Sequence, residues 1–279
     1  NEVCEATQQL ALVKEKLVVP MGEDASALAL GVLSTLMNGS KGTKRALICP
    51  EVLNFMRWVI QTYGPRDQLQ RGANALTLIV CHCCQPHPHE FQKAFLKASP
   101  EDFITTIGKS LPAAVALDVS PRSFAFQSLR FIRHLTALVE GEARDIVLKT
   151  CCDRIWPVVV DMLMKPQIPE TWLVDDIPYD RGGSGEFPSF VEALIFVVRC
   201  FHRVKSARPL EASGSVDVTR SDRPSVHFSN ELLSRLLELS ESRRMPESVR
   251  STCREVLSMR MPGARKGFRR VLKAHNQEW

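Results

Sequence analysis

The feature that most constrains this chain is a helical pattern that recurs along it, each time as a short capped apolar helix followed by a longer apolar one. The clearest copy runs from Ile48 to Cys84. A helix start at Ile48-Cys49-Pro50 leads into Glu51–Ile60, a break follows at Tyr63-Gly64-Pro65, and Leu69–Val80 forms the longer partner. A related helix precedes it at Ala25–Met37, and aligning Leu30 with Leu76 gives a spacing of 46 residues. Self-similarity on that scale means a supersecondary unit that cannot bury its apolar face alone and must stack on its neighbours.

Later copies are weaker. Ser123–Val139 follows Pro121, a residue suited to a helix entrance. Val147–Met164 carries Ile155-Trp156-Pro157-Val158-Val159, which resembles the entry Cys49-Pro50-Glu51-Val52-Leu53, and Phe190–Val204 is its long partner. Leu232–Leu239 and Ser248–Met259 make a final pair, broken at Met245-Pro246. Apolar residues recur at helical spacing, as in Leu129, Ile132, Leu135 and Val139, and period-2 alternation is nearly absent. The chain reads as all-α. Leu76, Leu129, Leu194 and Val256 sit centrally on the long apolar stripes and are expected to be buried.

The pair Cys49–Val59 and Gln70–Val80 resembles the second and third helices of an armadillo repeat, with Ala73 and Leu76 at the small-residue and Leu positions of the third. The resemblance implies a single domain over residues 1–279, a right-handed α-solenoid of roughly four to six irregular repeats with two loop insertions. The Trp and Asn ladder of the nuclear-import carriers is missing, since Asn74 and Leu78, then Gln127 and Phe131, occupy its places. Basic import signals are therefore not the expected ligand.

Composition fits a packed chain: 279 residues, 44% hydrophobic and 24% charged. No apolar run approaches the ~18 residues of a membrane span. Nine cysteines, an odd number with several inside apolar helices, fit reduced thiols and a cytoplasmic or nuclear setting.

The sharpest chemical cluster is Cys81-His82-Cys83-Cys84-Gln85-Pro86-His87-Pro88-His89. Cys84, His87 and His89 are the weak candidates for zinc, but a closed site needs four ligands and no second two-ligand knuckle accompanies them. The favoured reading is no metal and no cofactor, with the cysteines packed as small apolar residues. Gly182-Gly183-Ser184-Gly185-Glu186 lacks the last glycine of a nucleophile elbow, and Gly39–Lys44 has the wrong spacing for a phosphate loop and reads as a helix-connecting turn. Nothing in the sequence points to an enzyme.

Two segments interrupt the rhythm. The first, about 166–188 on its Pro and Gly content, sets Glu170, Asp175, Asp176, Asp180 and Glu186 beside Trp172, Leu173, Ile177 and Tyr179. An ordered loop contributing to binding is expected there. The second, about 205–226, has the composition of a linker. Charge is also uneven. Over 242–279 ten Lys and Arg face three Glu, on a chain whose net charge is +5. Arg265, Lys266, Arg269, Arg270 and Lys273 form the densest part of this basic cap.

These readings lead to a non-enzymatic adaptor that binds a peptide or helical segment of a partner protein, with no membrane contact and no assigned oligomeric state. In a solenoid the long helices share one concave surface. The candidate binding residues are Arg71, Asn74, Gln127, Arg130, Arg133, His134, Glu192 and Arg199, joined by Trp172 and Tyr179 from the acidic insertion. A nucleic-acid scaffold using the basic end is the alternative, and a zinc protein centred on Cys81–His89 the second alternative.

Overall fold

The computed structural model describes residues 22–39, 41–64, 70–120, 122–138, 142–164, 191, 193–201, 226–243 and 245–260. Among the described residues every regular element is helical and there is no strand. The helices are α1 (Glu23–Met37), α2 (Lys41–Leu47), α3 (Pro50–Tyr63), α4 (Arg71–Leu78, running on as a π-helical segment Ile79–Cys84), α5 (Pro88–Lys97), α6 (Pro100–Leu117), α7 (Phe124–Leu138), α8 (Glu142–Arg154), α9 (Trp156–Met164), α10 (193–201), α11 (Asn230–Glu241) and α12 (Glu247–Arg260). They fall into two compact units, divided within α9 between Val158 and Val159.

Local chemistry sets many of the boundaries. Pro50, Pro88 and Pro100 open α3, α5 and α6, where a missing N–H costs nothing. Asp118 accepts from the backbone N–H and the hydroxyl of Ser120, both at 2.8 Å, and so turns the chain toward α7. Ser229 caps α11 by accepting from the Leu232 N–H at 3.2 Å. Gln70 takes the left-handed conformation, φ 48°, immediately before α4 and fixes its start at Arg71.

In the first unit α1 packs on α4 and α4 on α7, while α3 packs on α6 and α6 on α8. Two ranks of helices result, joined where α3 meets α4 and α6 meets α7. Polar contacts between helices of this unit keep one sequence interval. Arg45 pairs with Glu90, Arg57 Nη1 donates to Asp102 Oδ2 at 2.9 Å, and Arg71 Nη1 donates to Ser26 Oγ at 3.4 Å; in each case the partners are 45 residues apart. The buried set Ser26, Leu30, Leu33 and Met37 on α1 reappears in step as Gly72, Leu76, Ile79 and Cys83.

The core of this unit is aromatic where α5, α6 and α7 converge. Phe91, Phe95, Phe103 and Phe131 are all fully buried, with neighbouring ring centroids 5.2 to 6.4 Å apart. That spacing favours edge-to-face and tilted contacts. Where α3 ends and α4 begins, Gly64 and Gly72 bring two backbones together beneath the Phe124 ring. A Cβ on Gly72 would lie 2.7 Å from the Gly64 Cα and 3.0 Å from the ring.

In the second unit α11 and α12 form an antiparallel-type hairpin sequence closed at Met245-Pro246, with Leu232, Leu236, Val249, Cys253 and Val256 buried. Arg235 Nε donates to the Leu163 carbonyl at 3.1 Å, a cation satisfying the last turn of α9. Arg199 Nη2 on α10 lies 2.8 Å from Glu255 Oε2 on α12.

The all-α expectation holds for the described residues, and Leu76, Leu129, Leu194 and Val256 are each buried. Three differences have physical reasons. Gly39–Lys44 is not simply a turn, because helix α2 begins at Lys41. Val147–Met164 is two helices, parted at Ile155 with Pro157 in the first turn of the second. The sequence pattern also passed over α5 and α6 altogether. Pro112 inside α6 removes one backbone donor and, with Gly108, Thr105 and Thr106, dilutes its helical signal. The acidic insertion with Trp172 and Tyr179, the 205–226 linker up to Ser225 and the basic residues Arg265, Lys266, Arg269, Arg270 and Lys273 lie outside the described residues.

Candidate functional site

Several of the candidate polar residues of the first unit stand on α4, its π extension and α7. Leu76, Thr77, Leu78 and Ile79 run buried, half-buried, buried, buried, as do Leu129, Arg130, Phe131 and Ile132 on α7. Past the π turn the match resumes one residue later, with Cys81, His82 and Cys83 answering Arg133, His134 and Leu135. Against α1 there is no such offset, since Leu33 and Met37 stay in step with Ile79 and Cys83. The π winding itself shows in the Gln85 N–H, which donates to the Val80 carbonyl five residues back at 3.2 Å.

His82 on the π segment and His134 on α7 are both partly exposed. Nε2 of His134 lies 3.2 Å from Nε2 of Gln85, tying α7 to the end of the π segment. Both imidazoles have their pKa pulled below the usual 6.5, first by burial. The second cause is Lys44 for His82, and Arg130 with Arg133 for His134. The charges acting on both rings are thus positive, supplied by α2 and α7. Asn74 and Arg133 are exposed, and Arg130 is half-exposed. Thr77 and Thr136 turn their hydroxyls back onto their own helices, to Ala73 and Ile132 carbonyls at 2.9 Å.

Other candidates sit elsewhere. Gln127 is only 5% exposed, because the first turns of α7, Phe124-Ala125-Phe126-Gln127-Ser128-Leu129, are apolar on nearly every side and enclosed. This corrects its expected place on an open surface. Arg71 is a brace: its guanidinium lies over the Tyr63 ring, 4.9 Å from the centroid, and reaches Glu23 Oε1 at 3.4 Å and Ser26. Arg199 is half-buried against Glu255, and the side chain of Glu192 lies outside the described residues. Two cations of the basic C-terminal stretch, Arg250 and Arg254, pair with Glu247 on their own helix at 2.7 and 3.1 Å.

The Cys81–His89 cluster is spread out by the helix it lies on. Cys83 and Cys84 point into the core, and burial pushes the Cys83 thiol up to about 12 and Cys84 well above its usual value. His87 is half-buried and His89 exposed on the following turn. Among the described residues no three His, Cys, Asp or Glu side chains are arranged to hold a metal ion. Also among them, no helix is long and apolar enough to cross a membrane.

The sequence reading named Arg130, Arg133, His134 and Asn74 but missed Lys44, His82 and Gln85. The link of Gln85 to His134 is a contact between two helices, which spacing within either helix does not reveal. Comparison with protein-family models, with curated proteins and with solved structures finds no match to this chain.

Proposed function

We propose that the chain is a non-enzymatic helical-repeat scaffold of the armadillo type, a solenoid that holds a segment of a partner protein against the α4, π and α7 face. The observation that carries this reading is the constant interval of 45 residues between the partners of Arg45, Arg57 and Arg71. Contacts between equivalent places in successive sequence periods are what stacked repeats require. Stacking also explains why polar side chains of α4 and α7 accumulate on one face, where their rigid helices can present them to an extended ligand. Eight free cysteines among the described residues, five of them buried beyond easy reach of oxidant in the first unit, fit a reducing compartment, the cytoplasm or nucleus.

Hydrogen exchange on the purified chain with and without a protein it retains tests the reading. Protection should concentrate in residues 71–85 and 124–138 and disappear with Arg133→Glu. Protection confined to α11 and α12, or retention of nucleic acid with a steep salt dependence, would overturn it.

A further inference from the structure

We infer that α1 is the docking site of the chain's own residues 4–17, which cover its second apolar stripe as an amphipathic helix and close the end of the rank that α1 begins. The inference goes beyond the proposed function. It rests on the repeat step alone, and not on which face holds a partner.

α1 carries two apolar stripes. Ser26, Leu30, Leu33 and Met37 make the first and are buried. Ala25, Leu28, Ala29, Val32 and Leu36 make the second, at i, i+3, i+4, i+7 and i+11, about a third of a turn round the helix. Leu28 is 71% exposed and Val32 40%, Ala25 is exposed, and Ala29 and Leu36 are half-exposed. A continuous apolar stripe open to water marks a place where something docks.

The repeat step says what docks there. The first stripe of α1 recurs 46 residues on in α4, where the places of Ala29 and Val32 are held by Ala75 and Leu78, both buried. The helix before α4, Pro50–Tyr63, packs against it. The same step back from Pro50–Tyr63 falls on residues 4–17, which lie outside the described residues. Their sequence keeps the pattern of α3. Ala6, Leu10, Val13 and Leu17 stand where α3 buries Val52, Met56, Val59 and Tyr63. Glu5 and Glu15 stand where it exposes Glu51 and Gln61. Pro20 and Gly22 then separate the segment from Glu23, the first residue of α1, and suit a turn between two helices.

A second copy of the chain fits the stripe less well. α1 has 15 residues. Its length of ~22 Å and width of ~10 Å offer about 200 Å², well short of the ~800 Å² that each partner gives to a stable complex. A segment joined to α1 through residues 18–22 meets the stripe at an effective concentration on the order of mM and needs no such area. Closing the outermost helix of a stack is also what repeat proteins require to stay soluble.

Hydrogen exchange on the full chain, read by mass spectrometry, tests the inference. Amides of 4–17 should exchange about tenfold or more slowly than in a free peptide of the same sequence. L28E combined with V32E should remove that protection. L10E combined with V13E should speed exchange over 25–36 in return, with 71–85 unchanged in both variants. A27E, at an exposed position of α1 off the stripe, should leave 4–17 as in the parent. Free-peptide rates over 4–17 in the parent overturn the inference, as does protection that L28E with V32E leaves intact. Protection of 25–36 that grows with protein concentration also overturns it, by making a second copy the occupant. Protection of 71–85 and 124–138 by a retained protein is read separately, so the scaffold reading and this one can fail independently.

Discussion

Arg57 and Asp102 stand 45 residues apart in the chain and 2.9 Å apart in space, joining α3 to the helix that follows it in the same rank. Asp102 is 64% exposed in its side chain and Arg57 29%, so solvent screens most of the attraction. A double-mutant cycle of Arg57→Ala and Asp102→Ala should give a coupling of only ~0.2–1 kcal/mol, shrinking in high salt. A larger, salt-insensitive coupling would mean that the pair is buried in solution.

Buried apolar side chains matter far more. Leu76→Ala and Leu129→Ala remove side chains with no exposed surface, and Leu194→Ala one that is 2% exposed. Each should lower unfolding free energy by ~2–5 kcal/mol in chemical denaturation. A loss under about 0.5 kcal/mol, ordinary for a surface site, would contradict the packing described for that helix.

Two glycines give opposite expectations. Gly72 is pressed between the Gly64 backbone and the Phe124 ring, so Gly72→Ala should cost ~1–3 kcal/mol through overpacking. Gly31 lies within α1 and has nothing within 4 Å of the position a Cβ would take. Gly31→Ala should therefore stabilise by up to ~1 kcal/mol, since it removes only the backbone freedom that glycine brings to a helix. Thermal melts of the two variants side by side decide the matter, and a shift in the same direction for both would refute the contrast.

Acid should weaken the first unit. His82 and His134 have pKa values lowered by burial and by neighbouring cations, so the folded chain binds their protons less readily than the unfolded chain. By linkage, the associated stability is fully present above the usual 6.5 and is lost as pH falls through the lowered values. The urea midpoint at fixed ionic strength should drop between pH ~7 and ~5, and less so in a His82→Gln, His134→Gln variant. An identical slope in variant and parent would remove the histidines from the effect.

Thiol reactivity should follow burial. Cys83 and Cys253 are pushed up to about 12 and Cys152 to about 11, each chiefly by desolvation, and Cys84 and Cys151 are raised as well. Alkylation near neutral pH should mark the half-exposed Cys81 and Cys200 before any of these, because the thiolate is the reactive form. Mass spectrometry showing early modification of Cys83 or Cys151 in the folded protein would be the contrary result.

The fold class and the long helices were legible because their apolar residues keep helical spacing over many turns, as Leu30, Leu33 and Met37 do. Short α2 carries a single buried residue, Leu47, and leaves no periodic signature. α5 and α6 did leave one, in Phe91, Ala94 and Phe95 and in Phe103, Ile104, Ile107 and Leu111, but prolines and a glycine obscured it. The surface was half legible. Arg130, Arg133 and His134 stand on a regular helix, whereas the contact of His134 with Gln85 depends on how two helices pack. Gln127 failed for the opposite reason: polarity in the sequence does not reveal that neighbouring helices close over a position.

The π turn at Ile79–Cys84 also bears on where chains of this kind can vary. An added residue is ordinarily tolerated in a loop, where nothing depends on angular phase. Here the winding loosens within a helix instead, the Gln85 N–H reaching back to the Val80 carbonyl at 3.2 Å, and Leu76, Ile79 and Cys83 stay buried at the spacing of an ordinary stripe. The buried stripe and the backbone winding are therefore separable: the first holds the helix in the stack while the second varies along it. Variation of such a scaffold can then arise inside a helix, with its connections left as they are.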